Sequence, residues 1–156
     1  MQPLDTEQTA AREWFEHLRD LICAEFVAIE REAGSDAAFE YIAWDRTDPS
    51  GDPGGGGVRG VMKGRVFEKV GVNVSTVHGQ FSEEFARQMP GGADNGGQFW
   101  ASGISLVAHM CSPRVPAVHM NTRQIITSKS WFGGGADLNP MLENESDEAQ
   151  FHAAFK

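Results

Sequence analysis

Apolar residues recur at helical spacing near the start of the chain, at Trp14, Phe15, Leu18, Leu21, Ile22, Phe26 and Ile29. Asp5 and Gln8 stand ahead of them at capping-box spacing and Gly34 supplies a stop, so the pattern predicts one long amphipathic helix. Its outer face mixes both signs of charge, which fits packing on a core or a partner rather than on a membrane. Phe39 to Trp44 then reads as a strand, and the Gly- and Pro-rich stretch Asp48 to Gly57 as a loop. From Val58 the pattern turns strand-like, with runs near 58–69, 71–78, 99–110, 117–126 and 128–132. Ser82 caps a short helix to Gln88, with Glu83 and Glu84 at its positive end. A last helix begins near Ser146 and carries His152. Consecutive strands with helices at the ends predict an α+β fold, an antiparallel sheet flanked by helices. No repeat or second domain is visible, so residues 1–156 read as a single domain.

Alternation along the strands sorts the polar residues. In Ala117 to Ile126 one face receives His119, Asn121 and Arg123, spaced ~7 Å apart at a strand's rise of ~3.3 Å per residue. On the preceding strand Gly103, Ser105, Val107 and His109 share a face. The segment from Met110 to Pro116 looks like a turn, so the two strands are expected to pair antiparallel. If their polar faces coincide, Ser105, His109, His119, Asn121 and Arg123 line one concave surface. A proton-exchanging imidazole, a neutral amide and a permanent cation in one row suit recognition of an anionic ligand.

Composition narrows the class. Hydrophobic residues make up 40% and charged residues 22%, which excludes a disordered tail. No apolar run approaches the ~20 residues that cross a bilayer, and Met1 to Asp5 has neither basic flank nor apolar stretch, so neither a membrane span nor a signal peptide is expected. Two cysteines, Cys23 and Cys111, are too few for a disulfide framework. A cytoplasmic setting follows as the expectation. Twenty-two acidic against 13 basic side chains give −9, which argues against nucleic-acid binding. Residues 56–130 nevertheless hold eight basic and four acidic groups, a local +4 within an acidic chain. That division points to an anion site inside an acidic shell.

Several motifs fail on context. Gly55-Gly56-Gly57-Val58-Arg59-Gly60 fits GxGxxG but leads into a strand rather than a helix. Gly133-Gly134-Gly135 lacks the Lys-Ser/Thr of a phosphate loop. His109 and His119 on one face, with His152 approaching from the last helix, raise a metal question without forming a compact ligand motif.

Three long stretches resemble the oxygen-dependent coproporphyrinogen III oxidase family of haem biosynthesis. They are Gly64-Arg65-Val66-Phe67-Glu68-Lys69-Val70-Gly71-Val72-Asn73-Val74-Ser75, then Ala101 to Val107 running through His109 and Pro116 to His119-Met120-Asn121-Thr122-Arg123, then Trp131 to Pro140. The resemblance implies a flat antiparallel sheet between helices, usually in a homodimer, with substrate in a deep cleft. It implies oxidative decarboxylation of two propionates of coproporphyrinogen III to vinyl groups, giving protoporphyrinogen IX with molecular oxygen as co-substrate and no flavin or haem. By position, the substrate-binding serine falls on Ser105, the proton donor on His119 and further substrate contacts on Asn121 and Arg123. The aspartate that engages the pyrrole N–H groups falls on Asp137, expected to be buried. His109, His119 and His152 match positions treated in some members as divalent-metal ligands. The glycine run at 133–135 acquires a reason in close approach of backbone to a flat ligand.

Family members are about twice as long, so the chain is expected to be an N-terminal part of the fold, with its sheet incomplete at the C-terminal end. Two other readings stand beside the enzyme. One is a tetrapyrrole-binding module without turnover; the other is an unrelated metal-dependent enzyme built on His109, His119 and Asp137.

Overall fold

A computed structural model describes residues 5–48 and 51–155. Helix α1 (Thr6–Glu32) opens on a reciprocal cap: the Gln8 amide donates to the Asp5 carboxylate at 2.8 Å, and the Asp5 amide donates to the Gln8 side chain at 3.2 Å. Past its C-terminal end Gly34 takes a left-handed conformation (φ 71°), which glycine adopts without a steric penalty.

Six strands follow, β1 (Glu40–Thr47), β2 (Pro53–Met62), β3 (Phe67–Gln80), β4 (Gln98–Met110), β5 (Ala117–Ile126) and β6 (Ser130–Asn139). They form one sheet in sequence order, and every neighbouring pair is antiparallel. A short helix α2 (Glu83–Gln88) and a 3-10 turn (Ala93–Asn95) lie between β3 and β4, and α3 (Glu145–Ala153) follows β6. The architecture is the α+β class that the run of strands implies.

Three strand boundaries differ from the sequence pattern. Pro53 to Gly57 belongs to β2 rather than to a loop, because glycine there answers crowding: a Cβ on Gly55, Gly56 or Gly57 would strike the backbone of β1 or β3. Residues 49 and 50 of the expected loop lie outside the described residues, as do Met1 to Leu4 and Lys156. The break expected near residue 70 falls instead between Met62 and Phe67. The last strand runs on to Asn139 and takes the triple glycine into the edge of the sheet.

Helix α1 packs across one face of β3 and β4. Ala11, Phe15 and Cys23 meet Val70, Val72, Val74, Ile104, Leu106 and Ala108, with Phe26 edge-on to Phe67 at 5.0 Å. Trp14, Leu21 and Ile29 remain exposed, so the apolar stripe of α1 is wider than the surface it covers here. Two polar clasps fix the helix to the sheet. Near its start, Gln124 donates to Glu7 and, at 2.9 Å, to Ser130; Ser130 donates to Glu7 at 2.7 Å.

At its end the fully buried Glu30 carboxylate accepts the amides of Arg65 (2.8 Å), Val66 (2.9 Å) and Phe67 (2.8 Å). Burial alone would raise its pKa, but these bonds and one from Ser35 outweigh burial and hold it below the ordinary glutamate value. Gly64 is obligatory beside it, since a Cβ there would run into the carboxylate.

Candidate functional site

Strand parity that sends Val72, Ile104, Met120 and Ala136 toward the helix side sends their neighbours to the opposite face. The register sets these neighbours in transverse rows. Val107, His119 and Asp137 form one row; Arg59, Asn73, Ser105, Asn121 and Gly135 form the next; Ser75, Gly103, Arg123 and Gly133 form a third. Ser105, His109, His119, Asn121, Arg123 and Asp137 therefore occupy one sheet face, the one away from α1. A recess of about 320 Å³ on this face is lined by Asn73, Ser75, Ser105, His119, Asn121 and Arg123.

Two side-chain pairs order the polar groups. His119 Nδ1 lies 2.9 Å from Asp137 Oδ2. That contact, and a bond from Asn139 at 2.6 Å, hold the Asp137 carboxyl below the usual carboxylate range. An ionised Asp137 accepts the Nδ1 proton of His119, which leaves Nε2 as the nitrogen free to exchange a proton with a ligand. Asp137 is exposed, not buried as expected; β6 is the sheet's edge strand and no described element covers it. In the second pair Arg123 donates to the Asn121 Oδ1 at 2.6 Å. The Asn121 amide donors and the rest of the guanidinium fork stay available to a ligand.

Asn73 and Trp44 were absent from the residues picked out of the sequence. The Trp44 indole passes over Gly57 and donates to Asn73 Oδ1 at 2.9 Å, which orients the Asn73 amide between Arg59 and Ser105. Alternation in 71–78 already separates Gly71, Asn73 and Ser75 from Val70, Val72 and Val74, and that signal could have found Asn73.

His109 shares the open face, whereas His152 sits on α3. Among the described residues no three His, Cys, Asp or Glu side chains converge as a metal set requires. Among the described residues His109, His119 and His152 are not brought together around a common ion. No described helix is long and apolar enough to cross a membrane.

Residues 10–156 match the family model of coproporphyrinogen III oxidase. The chain belongs to that family. It is 56% identical over 143 residues to the oxygen-dependent coproporphyrinogen-III oxidase of Rickettsia bellii (strain RML369-C), a match that covers 92% of this chain and 51% of the relative. Against the protein of the same name from Rickettsia felis the identity is 55% over 146 residues, covering 94% and 52% respectively. The Rickettsia akari protein of that name is 54% identical over 143 residues. This coproporphyrinogen oxidase relative thus spans about half the length of the proteins it matches. The family motifs map onto β3, β4, β5 and β6, so the segments shared by resemblance are the strands that build the open face.

Proposed function

We propose that the open sheet face binds coproporphyrinogen III and contributes to its oxygen-dependent oxidative decarboxylation to protoporphyrinogen IX. The observation that carries the reading is the His119–Asp137 pair at 2.9 Å on the same face as the Arg123 fork, within a chain of this family. Arg123 pairs with a substrate propionate, and Asn121 and Ser105 donate or accept beside it. Asp137, kept ionised, is suited to accept pyrrole N–H bonds as well as the His119 proton. His119 Nε2 is then the nitrogen placed to move a proton to or from the ligand.

The chemistry balances without a resident cofactor. For each propionic acid side chain, the Cα–carboxyl bond breaks and carbon dioxide leaves, while the β-carbon gives up a hydrogen as the vinyl double bond forms. The two electrons released reduce oxygen, which takes two protons to become hydrogen peroxide. The electron-rich tetrapyrrole supplies the reducing power, so the protein's task is orientation, water exclusion and proton handling. A cytoplasmic homodimer is part of the same reading, and a sedimentation measurement tests the dimer.

Coproporphyrinogen III incubated with the chain in air and under nitrogen, followed by oxidation and fluorescence of protoporphyrin, tests the activity. Oxygen-dependent product above the autoxidation blank is the expected result. A folded sample that binds the tetrapyrrole but gives no product would favour a second reading, a binding module without turnover. The half-length coverage of its relatives is the observation behind that alternative.

A further inference from the structure

The polar surface continues beyond the residues that the proposed reaction uses. A second recess of about 390 Å³ is lined by Arg59, Lys69, Gly71, Asn73, Ser105 and His109. It shares Asn73 and Ser105 with the recess that holds His119 and Arg123, so the two form one trough across β2 to β5. Arg59 stands in the same transverse row as Asn73, Ser105 and Asn121. It is exposed and makes no hydrogen bond or ion pair among the described residues. Strand alternation puts Arg59, Lys69 and Arg123 on this face, with Glu40 on β1 and Asp137 on β6 at its two margins and Glu68 exposed at the β3 bulge beside Lys69. None of the acidic groups described on this face is paired with Arg59, whose guanidinium is left for an anionic ligand.

Gly71 adds an independent indication. A Cβ on Gly71 would meet nothing within 4 Å, and its backbone is not in the left-handed region. The protein's own packing therefore does not require glycine in the middle of β3, where it costs strand stability. The bare backbone of Gly71 lies one row from Asn73, between Val61 and Val107, and leaves that part of the trough floor open to something laid over it.

We infer that Arg59 is a second carboxylate anchor, and that the ligand is a macrocyclic polycarboxylate spanning the trough from Arg59 to Arg123. This rests on the tetrapyrrole reading above and extends it from one carboxylate contact to two. Three strand spacings and one two-residue step separate the two arginines, roughly 16 Å between Cα atoms. A ligand with carboxylates on opposite sides bridges that span. One that keeps only two neighbouring carboxylates does not, so the pair favours the tetracarboxylate substrate over the dicarboxylate product.

The test is fluorescence titration of the 156-residue chain with coproporphyrin III, the stable oxidised tetracarboxylate, and with protoporphyrin IX, its dicarboxylate counterpart. Wild type is compared with Arg59→Gln, Arg123→Gln and Arg87→Gln, each checked for an unchanged melting temperature. Arg59→Gln is expected to weaken coproporphyrin binding about tenfold while changing protoporphyrin binding much less. Arg87, on α2 and off the sheet face, reports the effect of bulk charge alone and is expected to bind as wild type. Saturable binding that Arg123→Gln weakens and Arg59→Gln does not would overturn the second anchor and leave the tetrapyrrole reading standing. Equal losses in Arg59→Gln and Arg87→Gln would also overturn it, as a bulk-charge effect. No saturable binding by folded wild type would overturn the tetrapyrrole reading itself, and the anchor with it.

Discussion

The two faces of β3 and β4 are made by alternate residues of the same strands, yet they obey different rules. On the α1 side, Val70, Val72, Val74, Ile104, Leu106 and Ala108 are buried, and their identity is dictated by packing. On the other side, Lys69, Asn73, Ser105 and His109 alternate with them and stay at least partly exposed. Polar groups there hold one another, as Trp44 holds Asn73 and Asp137 holds His119, rather than the core. Substitutions should therefore separate cleanly: helix-side changes read out as stability, open-face changes as ligand chemistry.

Phe15 offers the largest break in stability. It is 1% exposed at the centre of the helix–sheet contact, so Phe15→Ala should cost about 3–5 kcal/mol in urea unfolding, near or beyond the stability of a small domain. Any loss of activity should track the unfolded fraction. His119→Ala should do the reverse. Its stability should stay within about 0.5 kcal/mol of wild type, while oxygen-dependent protoporphyrin formation falls about 100-fold or more. Matching losses of stability and activity in both variants would erase the distinction between the faces.

Each face also carries a carboxyl held below its ordinary pKa, and the two should behave differently in acid. Glu30 is sealed between α1 and the β2–β3 turn, where its charge satisfies three backbone amides. Glu30→Gln should cost about 2 kcal/mol at pH 7, since a charge-assisted cluster is lost. A folded-state pKa below the unfolded one means that the ionised carboxylate contributes fully above the ordinary glutamate range, near pH 4.3. The contribution is lost as pH falls through the lowered folded value. Unfolding measured from pH 7 downward should show the wild-type advantage over Glu30→Gln constant to about pH 5 and shrinking below it. Asp137 is exposed, and Asp137→Asn should leave the pH profile of stability nearly unchanged.

Much of this division was legible in the sequence. The capping box at Asp5, the helical spacing around Phe15 and the alternation through Asn121 set the helix, the antiparallel strands and the polar row. Of the eight basic groups in the middle of the chain, Arg59, Lys69 and Arg123 stand on the open face and the rest lie on turns and α2. What was not legible depended on partners distant in sequence. Gly55 to Gly57 read as loop because crowding by Trp44, Val74 and Thr76 exists only once three strands are side by side. Glu30 looked like one more outward charge on α1, since its amide partners lie 35 to 37 residues on. Asp137 was expected to be buried, but a position on an edge strand leaves it open.

The smallest effect tests the comparison most finely, and it lies within the triple glycine. Gly134 points to the helix side, where a Cβ would strike the Asn121 carbonyl of β5, so glycine there serves the sheet. Gly135 pairs with Asn121 on the open face, and a Cβ there would meet nothing within 4 Å. With ordinary backbone and open space, Gly135→Ala should stabilise the chain by about 0.5–1 kcal/mol, because alanine loses less entropy on folding than glycine. The added methyl would nonetheless stand on the floor beside Asn121, so coproporphyrin III binding should weaken. Gly134→Ala should destabilise instead. A Gly135→Ala variant that gains stability and binds coproporphyrin III as wild type would mean that nothing approaches the β6 backbone closely, and the ligand would then have to lie over β2 to β5 alone.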